Sequence, residues 1–216
     1  MVSEWNYGDA FRRHPIQEGQ RAVFADGSSV MSHSLFDPLP PSMQTADIMF
    51  VDPPWNKGNL NTFYTKAGRT DYQESFEVFY KRLFTCIAEI DARTCYIEVG
   101  KEYLSEFLTE AKRLYPCVTF YNSTYYHKKA NRCYVIHAAH QRKNYHLDDL
   151  DEEDIIAWIC EHEDYACIGD LCMGLGTVGI KSYANQKKFV GTELNPKRIS
   201  VMLEKIVALG GHYILE

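Results

Sequence analysis

Residues 47–56 read DIMFVDPPWN, and no other stretch restricts the fold as tightly. Asp47–Val51 (DIMFV) is apolar at four successive positions without alternation, the mark of a strand covered on both faces. Pro53 and Pro54 lock φ and disfavour helix at the residue before, so the strand must stop there. Beyond the strand comes a rigid loop whose carboxylate, Asp52, and backbone carbonyls project from a sheet edge. Acceptors fixed side by side can satisfy both N–H donors of a planar amino group, and Trp55 offers a stacking face for the ring carrying it. The other reading is a strand-ending turn with Trp55 folded into the core.

The remainder of the chain repeats the strand motif between helices. Arg21–Asp26 (RAVFAD), Thr94–Val99 (TCYIEV), Tyr165–Leu171 and Lys188–Thr192 are further strand-like runs. Phe76, Phe79, Tyr80, Leu83, Phe84 and Ile87 fall at helical spacing between about Gln73 and Ile90. Further helices are predicted at Glu102–Leu114, at Ile155–Cys160 behind the acidic 148–153, from a glycine loop to about Asn185, and from Pro196. Residues 56–72 have no clean period and read as a loop over a substrate. Residues 117–126 and 132–139, joined by HKKAN, read as a β-hairpin spanning 117–143. Strands alternating with helices predict an α/β fold with a mainly parallel sheet, an antiparallel hairpin element, and ligands at the carboxyl edge. For 216 residues the expectation is a single domain, with residues 1–20 as an N-terminal extension.

Composition narrows the classes. Apolar residues make up 45% and charged ones 24%, ordinary for a globular protein. No run approaches the roughly 20 apolar residues of a membrane span, and MVSEWNYGDAFRRHP lacks the apolar core of a signal peptide, so a cytoplasmic protein is expected. The seven cysteines include no C-x-x-C pair and read as reduced core thiols. Cysteines and histidines lack metal-ligand spacing, so no metal is expected. A net charge of −6 argues against polyanion binding by the whole surface but leaves room for a local basic cleft.

Two more strand ends carry chemistry. Asp170–Gly179 (DLCMGLGTVG) closes a strand with a carboxylate before a glycine turn that opens a helix. Gly174-x-Gly176-x-x-Gly179 has the form of a dinucleotide fingerprint, with Glu193 at a distance suited to a ribose; a tight turn without ligand is the alternative. Thr192-Glu193-Leu194-Asn195 ends the next strand, where an acid can accept ribose hydroxyls or can face a helix N-terminus begun by Pro196.

Taken in this order, DPPW, then D-x-x-x-G-x-G-T, then G-x-E-x-N resembles the S-adenosylmethionine-dependent amino methyltransferases of nucleic acids. Because the DPPW motif precedes the glycine loop, the order is similar to the circularly permuted β group of DNA adenine N6-methyltransferases, across about Arg21 to Ile206. DPPWNKGN is close to the DPPYNTGN form of restriction-modification subunits, and its tryptophan is shared with messenger-RNA adenosine N6-methyltransferases. The resemblance implies a Rossmann-like methyltransferase fold and methyl transfer from S-adenosyl-L-methionine to a base amine, foremost N6 of adenine in DNA. N6 of adenosine in RNA and N4 of cytosine in DNA are the alternatives.

Residue by residue, it implies that Asp52 and the backbone at Pro53 and Pro54 hold the amine while Trp55 stacks on the base. Asp170, Cys172, Gly174, Gly176 and Thr177 would line the cofactor, with Glu193 and Asn195 at its ribose and Asp26 at its adenine. Cys172 replaces the family's usual phenylalanine, and NYHLDDLDEED lacks the lysine-proline pair found there. Asn56, Lys57, Lys128, Lys129 and Arg132 are candidate nucleic-acid contacts, joined by Arg142 and Lys143 at the end of the hairpin segment and by Lys66 and Arg69 in the substrate loop. With no room for a separate recognition domain, a homodimer or a partner subunit is expected. The rivals are a nicotinamide oxidoreductase built on GLGTVG and a non-catalytic nucleic-acid-binding subunit of the same fold.

Overall fold

A computed structural model describes residues 7–69 and 74–216. After a short helix α1 (Ala10–Arg13), strands β1 (Arg21–Phe24) and β2 (Ser29–Ser32) form a hairpin, and β3 (Ile48–Val51) leads into helices α2 (Lys57–Lys66) and α3 (Phe76–Ile90). Strand β4 (Thr94–Val99), helix α4 (Leu104–Leu114) and the hairpin β5 (Cys117–Thr124) and β6 (Arg132–Ala139) complete the first half. The second half runs through α5 (Glu152–His162), β7 (Cys167–Asp170), α6 (Thr177–Ala184), β8 (Lys188–Glu193), α7 (Pro196–Ala208) and β9 (Tyr213–Leu215). The strands build one sheet in the order β5-β6-β4-β3-β7-β8-β2-β1-β9. Pairing is parallel from β4 through β3, β7 and β8 to β2, and antiparallel at both flanks.

The unbroken apolar run of β3 is explained by cover on both faces. Met49 and Val51 pack with Leu83, Ile87 and Phe107 from α3 and α4, whereas Ile48 and Phe50 pack with Ile155, Ile159 and Leu203 from α5 and α7. All four β3 residues are essentially inaccessible, so each large side chain contributes roughly 1.5–3 kcal/mol of burial. Five of the seven cysteines are buried and all are free thiols. No helix among the described residues is long and apolar enough to cross a membrane.

The α/β architecture and the hairpin agree with the sequence pattern; the differences lie at weakly patterned segments. Residues 57–66 are helical where a loop is predicted, because Asn56 accepts from the Asn59 N–H (3.0 Å) as N-cap and only Leu60 and Tyr64, one turn apart, are buried. Positions 70–72 of that predicted loop lie outside the described residues, as do positions 1–6 of the N-terminal extension. The rest of the extension is tied down, with Arg13 paired to Glu204 on α7. Strand β2 is read from SSVMS only in the structure: its serines occupy a buried strand against β8, where Ser28 Oγ accepts from the Phe189 N–H (3.1 Å).

Strand order reverses between β3 and β7, since β3 connects outward to β4 and β7 outward to β8. Asp47 ties the two halves at this point: its Oδ2 accepts from the N–H groups of Ala166 (2.7 Å) and Cys167 (2.9 Å). Asp47→Ala should lower the unfolding free energy in urea by about 2 kcal/mol through the two stranded donors, and Asp47→Asn by less, because one oxygen remains to accept.

Candidate active site

In an open α/β sheet, the crevice beyond the carboxyl ends of the strands at a reversal of strand order is the place where ligands bind. Here that edge gathers Asp52 after β3, Glu98 near the end of β4, Asp170 at the end of β7, Glu193 at the end of β8, His33 after β2, and the β5–β6 tip. A cavity of about 470 Å³ opens among Asp52, Pro53, Trp55, Glu98, Asp170 and Gly174. Its size falls within the range of small-ligand sites. A smaller one of about 90 Å³ lies among His33, Leu35, Pro54, Phe79 and Glu193. Asp52, Phe63, Cys172, Gly174 and Arg198 line both, so the two adjoin.

The DPPW segment stands in the wall between them. Trp55 is half-buried: its ring packs flat on Gly100, where a Cβ would sit 2.9 Å from Cε3, and meets Tyr125 edge-on at 5.3 Å between centroids. Its indole Nε1 donates to Asp52 Oδ1 at 3.1 Å. Asp52 opens onto the cavity yet is crowded by protein on most sides. That crowding, then the charge of Glu152, pushes its carboxyl up to about 7, against the opposing pull of the Trp55 N–H.

The glycine turn supplies the opposite wall. Gly174 and Gly176 adopt φ of 55° and 80°, a region costly to other residues, and a Cβ on Gly176 would collide with Met202 of α7. Asp170 accepts from the Cys172 N–H (3.1 Å), and burial holds its carboxyl well above the usual range. Glu193 is gripped by the N–H groups of Gly174 (2.8 Å) and Asn195 (2.9 Å) and faces Arg198 at 3.9 Å, which still leaves its carboxylate acceptor capacity toward the cavity. Thr177 at the start of α6 lines the larger cavity.

Other sequence-predicted residues fall elsewhere. Asp26 is at the opposite edge: it closes the β1–β2 turn and accepts from the Ser28 N–H and hydroxyl (both 2.9 Å), so it does not reach the cavity. Asn195 lines neither cavity; it caps α7 and donates to Tyr7 and to the Lys66 carbonyl (both 3.2 Å). Asn56 is likewise engaged as a cap and donates to Glu102 (3.0 Å). Lys57, Lys128 and Lys129 are exposed on the same edge as the cleft, and Arg132 faces Asp149 at 3.9 Å. Lys143 leaves the opposite end of β6 and donates to buried Glu163 (2.7 Å), so it is not part of a basic rim. Arg69 pairs with Glu18.

Several residues are brought to the cavity that the sequence does not place there. Tyr125 and Tyr126 descend from the hairpin tip, where Tyr126 and His127 both have positive φ. Asp151 holds that tip, its Oδ2 accepting from the His127 N–H (2.8 Å) and the Thr124 hydroxyl (2.9 Å) while it caps α5. Arg198 sits in the first turn of α7, an unfavourable place for a cation, and is kept there by Glu193 and by the Phe63 ring, 4.6 Å below its guanidinium. Glu98 is 1% exposed within a fully buried strand, and its carboxyl meets no donor group beyond the neighbouring acid Glu152, with which it can share a proton. An acid inside the run TCYIEV is the signal that could have flagged it. Burial first, then the charges of Asp52 and Glu152, hold its carboxyl well above the usual range.

A carboxyl raised on folding stabilises the fold at low pH and loses that contribution as pH climbs past the unfolded value. Glu98→Gln should therefore melt higher than the wild type at pH 8, with the difference shrinking as pH falls toward 4.5 in thermal scans. Gly176→Ala should cost about 2–4 kcal/mol, from left-handed strain plus overpacking against Met202, read in urea titrations.

No family model and no curated protein sequence matches the chain. Among solved structures, M1.HpyAVI is similar over 82% of this chain and 97% of its own, with a TM-score of 0.55 at 11% identity. TTHA0409 from Thermus thermophilus, described as a DNA modification methylase and solved with S-adenosyl-L-methionine, is similar over 76% of this chain and 86% of its own, with a TM-score of 0.55 at 12% identity. What the chain shares with both is the fold.

Proposed function

We propose that the protein transfers a methyl group from S-adenosyl-L-methionine to the exocyclic amine of a nucleic-acid base, N6 of adenine in DNA, as a permuted amino methyltransferase. One observation carries the reading: Asp52 of DPPW and Asp170 and Gly174 of the glycine turn face one another across a single cavity at the reversal of strand order. TTHA0409, described as a DNA modification methylase and bound to the same cofactor, has this fold. The donor set fits such a cofactor. Asp52, Glu98, Glu152 and Asp170 make the cleft acid-rich, which suits a sulfonium and an ammonium and disfavours the doubly anionic pyrophosphate of a nicotinamide dinucleotide. Glu193 at the adjoining cavity would accept from the ribose hydroxyls, and the glycine turn leaves room for the backbone to approach the ligand.

When bound, the cofactor supplies an already activated methyl. The chain's task is to make a poor nucleophile attack it. An exocyclic amine delocalises its lone pair into the ring; Asp52 and a prolyl carbonyl accept its two protons, pull density back to nitrogen and favour a pyramidal geometry. Such fixed acceptors act most strongly where water is excluded. Trp55 and Tyr125 form an aromatic wall that replaces the stacking a base loses when it leaves a duplex. Lys128 and Lys129, at the outer end of the hairpin, are placed to meet phosphates.

The test is methyl transfer from labelled cofactor to DNA and RNA, with nucleosides resolved by mass spectrometry. Asp52→Ala should lower kcat by about 10²–10³-fold while cofactor binding persists; activity surviving that change sinks the mechanism. Since Asp52 accepts its hydrogen bond from the amine best as a carboxylate, and its carboxyl is raised to about 7, kcat should fall as pH drops below neutrality, well above the range of an ordinary aspartate. Replacing Lys128 and Lys129 by alanine should flatten the salt dependence of DNA binding, with an unchanged slope removing them from the interface.

A further inference from the structure

Glu98 is the one almost wholly buried carboxyl lining the cavity, among the described residues, whose oxygens meet no hydrogen-bonding group beyond a neighbouring acid, Glu152. A buried acid whose only partner is another acid destabilises the fold, and a ligand that completes it offsets that cost. Its position is specific. Ile97 of β4 pairs with Val51 of β3, so Glu98 stands one step on, beside Asp52 on the neighbouring strand. Neighbouring strands lie about 4.8 Å apart, and Phe50 and Tyr96, two residues earlier on each, share one core. The two carboxyls thus lie side by side on one face of the sheet, where a single planar ligand edge would span both.

Resting on the methyltransferase reading, we infer that Glu98 reads the target base, donating a hydrogen bond to the ring nitrogen next to the amine that Asp52 holds. The chemistry follows from its surroundings. Hemmed in by Asp52 and Glu152, the Glu98 carboxyl holds its proton, one O–H donor that it can share with Glu152 or turn to a ligand acceptor. Adenine N1 and cytosine N3, each beside an exocyclic amine, are acceptors and match it. Guanine carries an N–H at that place and is refused. A cation site does not explain the residue: no group of acids, histidines or cysteines among the described residues is arranged to hold a metal ion.

The decisive measurement uses single-stranded oligodeoxynucleotides in which every adenine is replaced by 1-deazaadenine, which lacks the proposed acceptor, or by 7-deazaadenine, which keeps it. Wild-type protein should lose about 10- to 100-fold in kcat/KM on the first and little on the second. Glu98→Leu should lose a similar factor on adenine, show no further loss on 1-deazaadenine, and melt at or above the wild type, which separates reading from folding. Glu98→Gln, which keeps an N–H donor, should retain most of the preference, and Glu152→Gln should retain it too. Binding of the same oligonucleotides with S-adenosylhomocysteine, followed by anisotropy, repeats the comparison without chemistry. If the wild type binds adenine over 1-deazaadenine and Glu98→Leu does not, the inference stands even where methyl transfer fails and the functional reading falls. Equal discrimination by wild type and Glu98→Leu, in either readout, overturns it.

Discussion

β3 and β7 pair over two residues only, Ile48 with Ile168 and Met49 with Gly169, while β3 stays paired with β4 through Val51. Beyond Met49 the two central strands part, and the crevice between Asp52 and Asp170 is that parting. Close approach before it is permitted by Gly169, where a Cβ would press on Ala46 and Met49, and is secured by Asp47. Everything functional here depends on this short contact. A longer ladder would zip the cleft shut, and a looser one would let the two motif-bearing halves drift.

How much of this the sequence discloses depends on which residues must be apolar. The central strands and α3 are legible because burial on two faces, or along one helical stripe, leaves few alternatives. β2 and α2 are not, since SSVMS satisfies its hydroxyls within the sheet and KGNLNTFYTK buries only Leu60 and Tyr64. Asp26 shows a different limit. An acid after an apolar run marks a strand end, but not which edge of the sheet that end faces; the following Gly27, at φ 88°, makes Asp26 part of a tight antiparallel turn on the far side. Asn56 and Asn195 read as ligand contacts because a capping side chain and a binding side chain look alike in sequence.

The cleft is electrostatically expensive. Asp52, Glu98, Glu152, Asp170 and Glu193 all hold their protons more tightly than in water, with Arg198 the cation that faces Glu193. A site so arranged is least comfortable when empty. A cationic ligand relieves mutual repulsion that the fold otherwise carries, so its binding and the stability of the cleft are coupled. The negative charges at the start of α5 serve the cleft as well as the helix N-terminus.

Asp151 links two surfaces that would otherwise be independent. The same carboxylate restrains the hairpin tip, with its two left-handed residues, and caps the helix whose first residue, Glu152, faces the cavity. The loop bearing the exposed lysines and the wall bearing the acid thus hang from a common peg. Glu152 in turn acts through its charge on Glu98 and Asp52. The set of the hairpin tip and the proton affinities inside the cleft therefore share one anchor, Asp151.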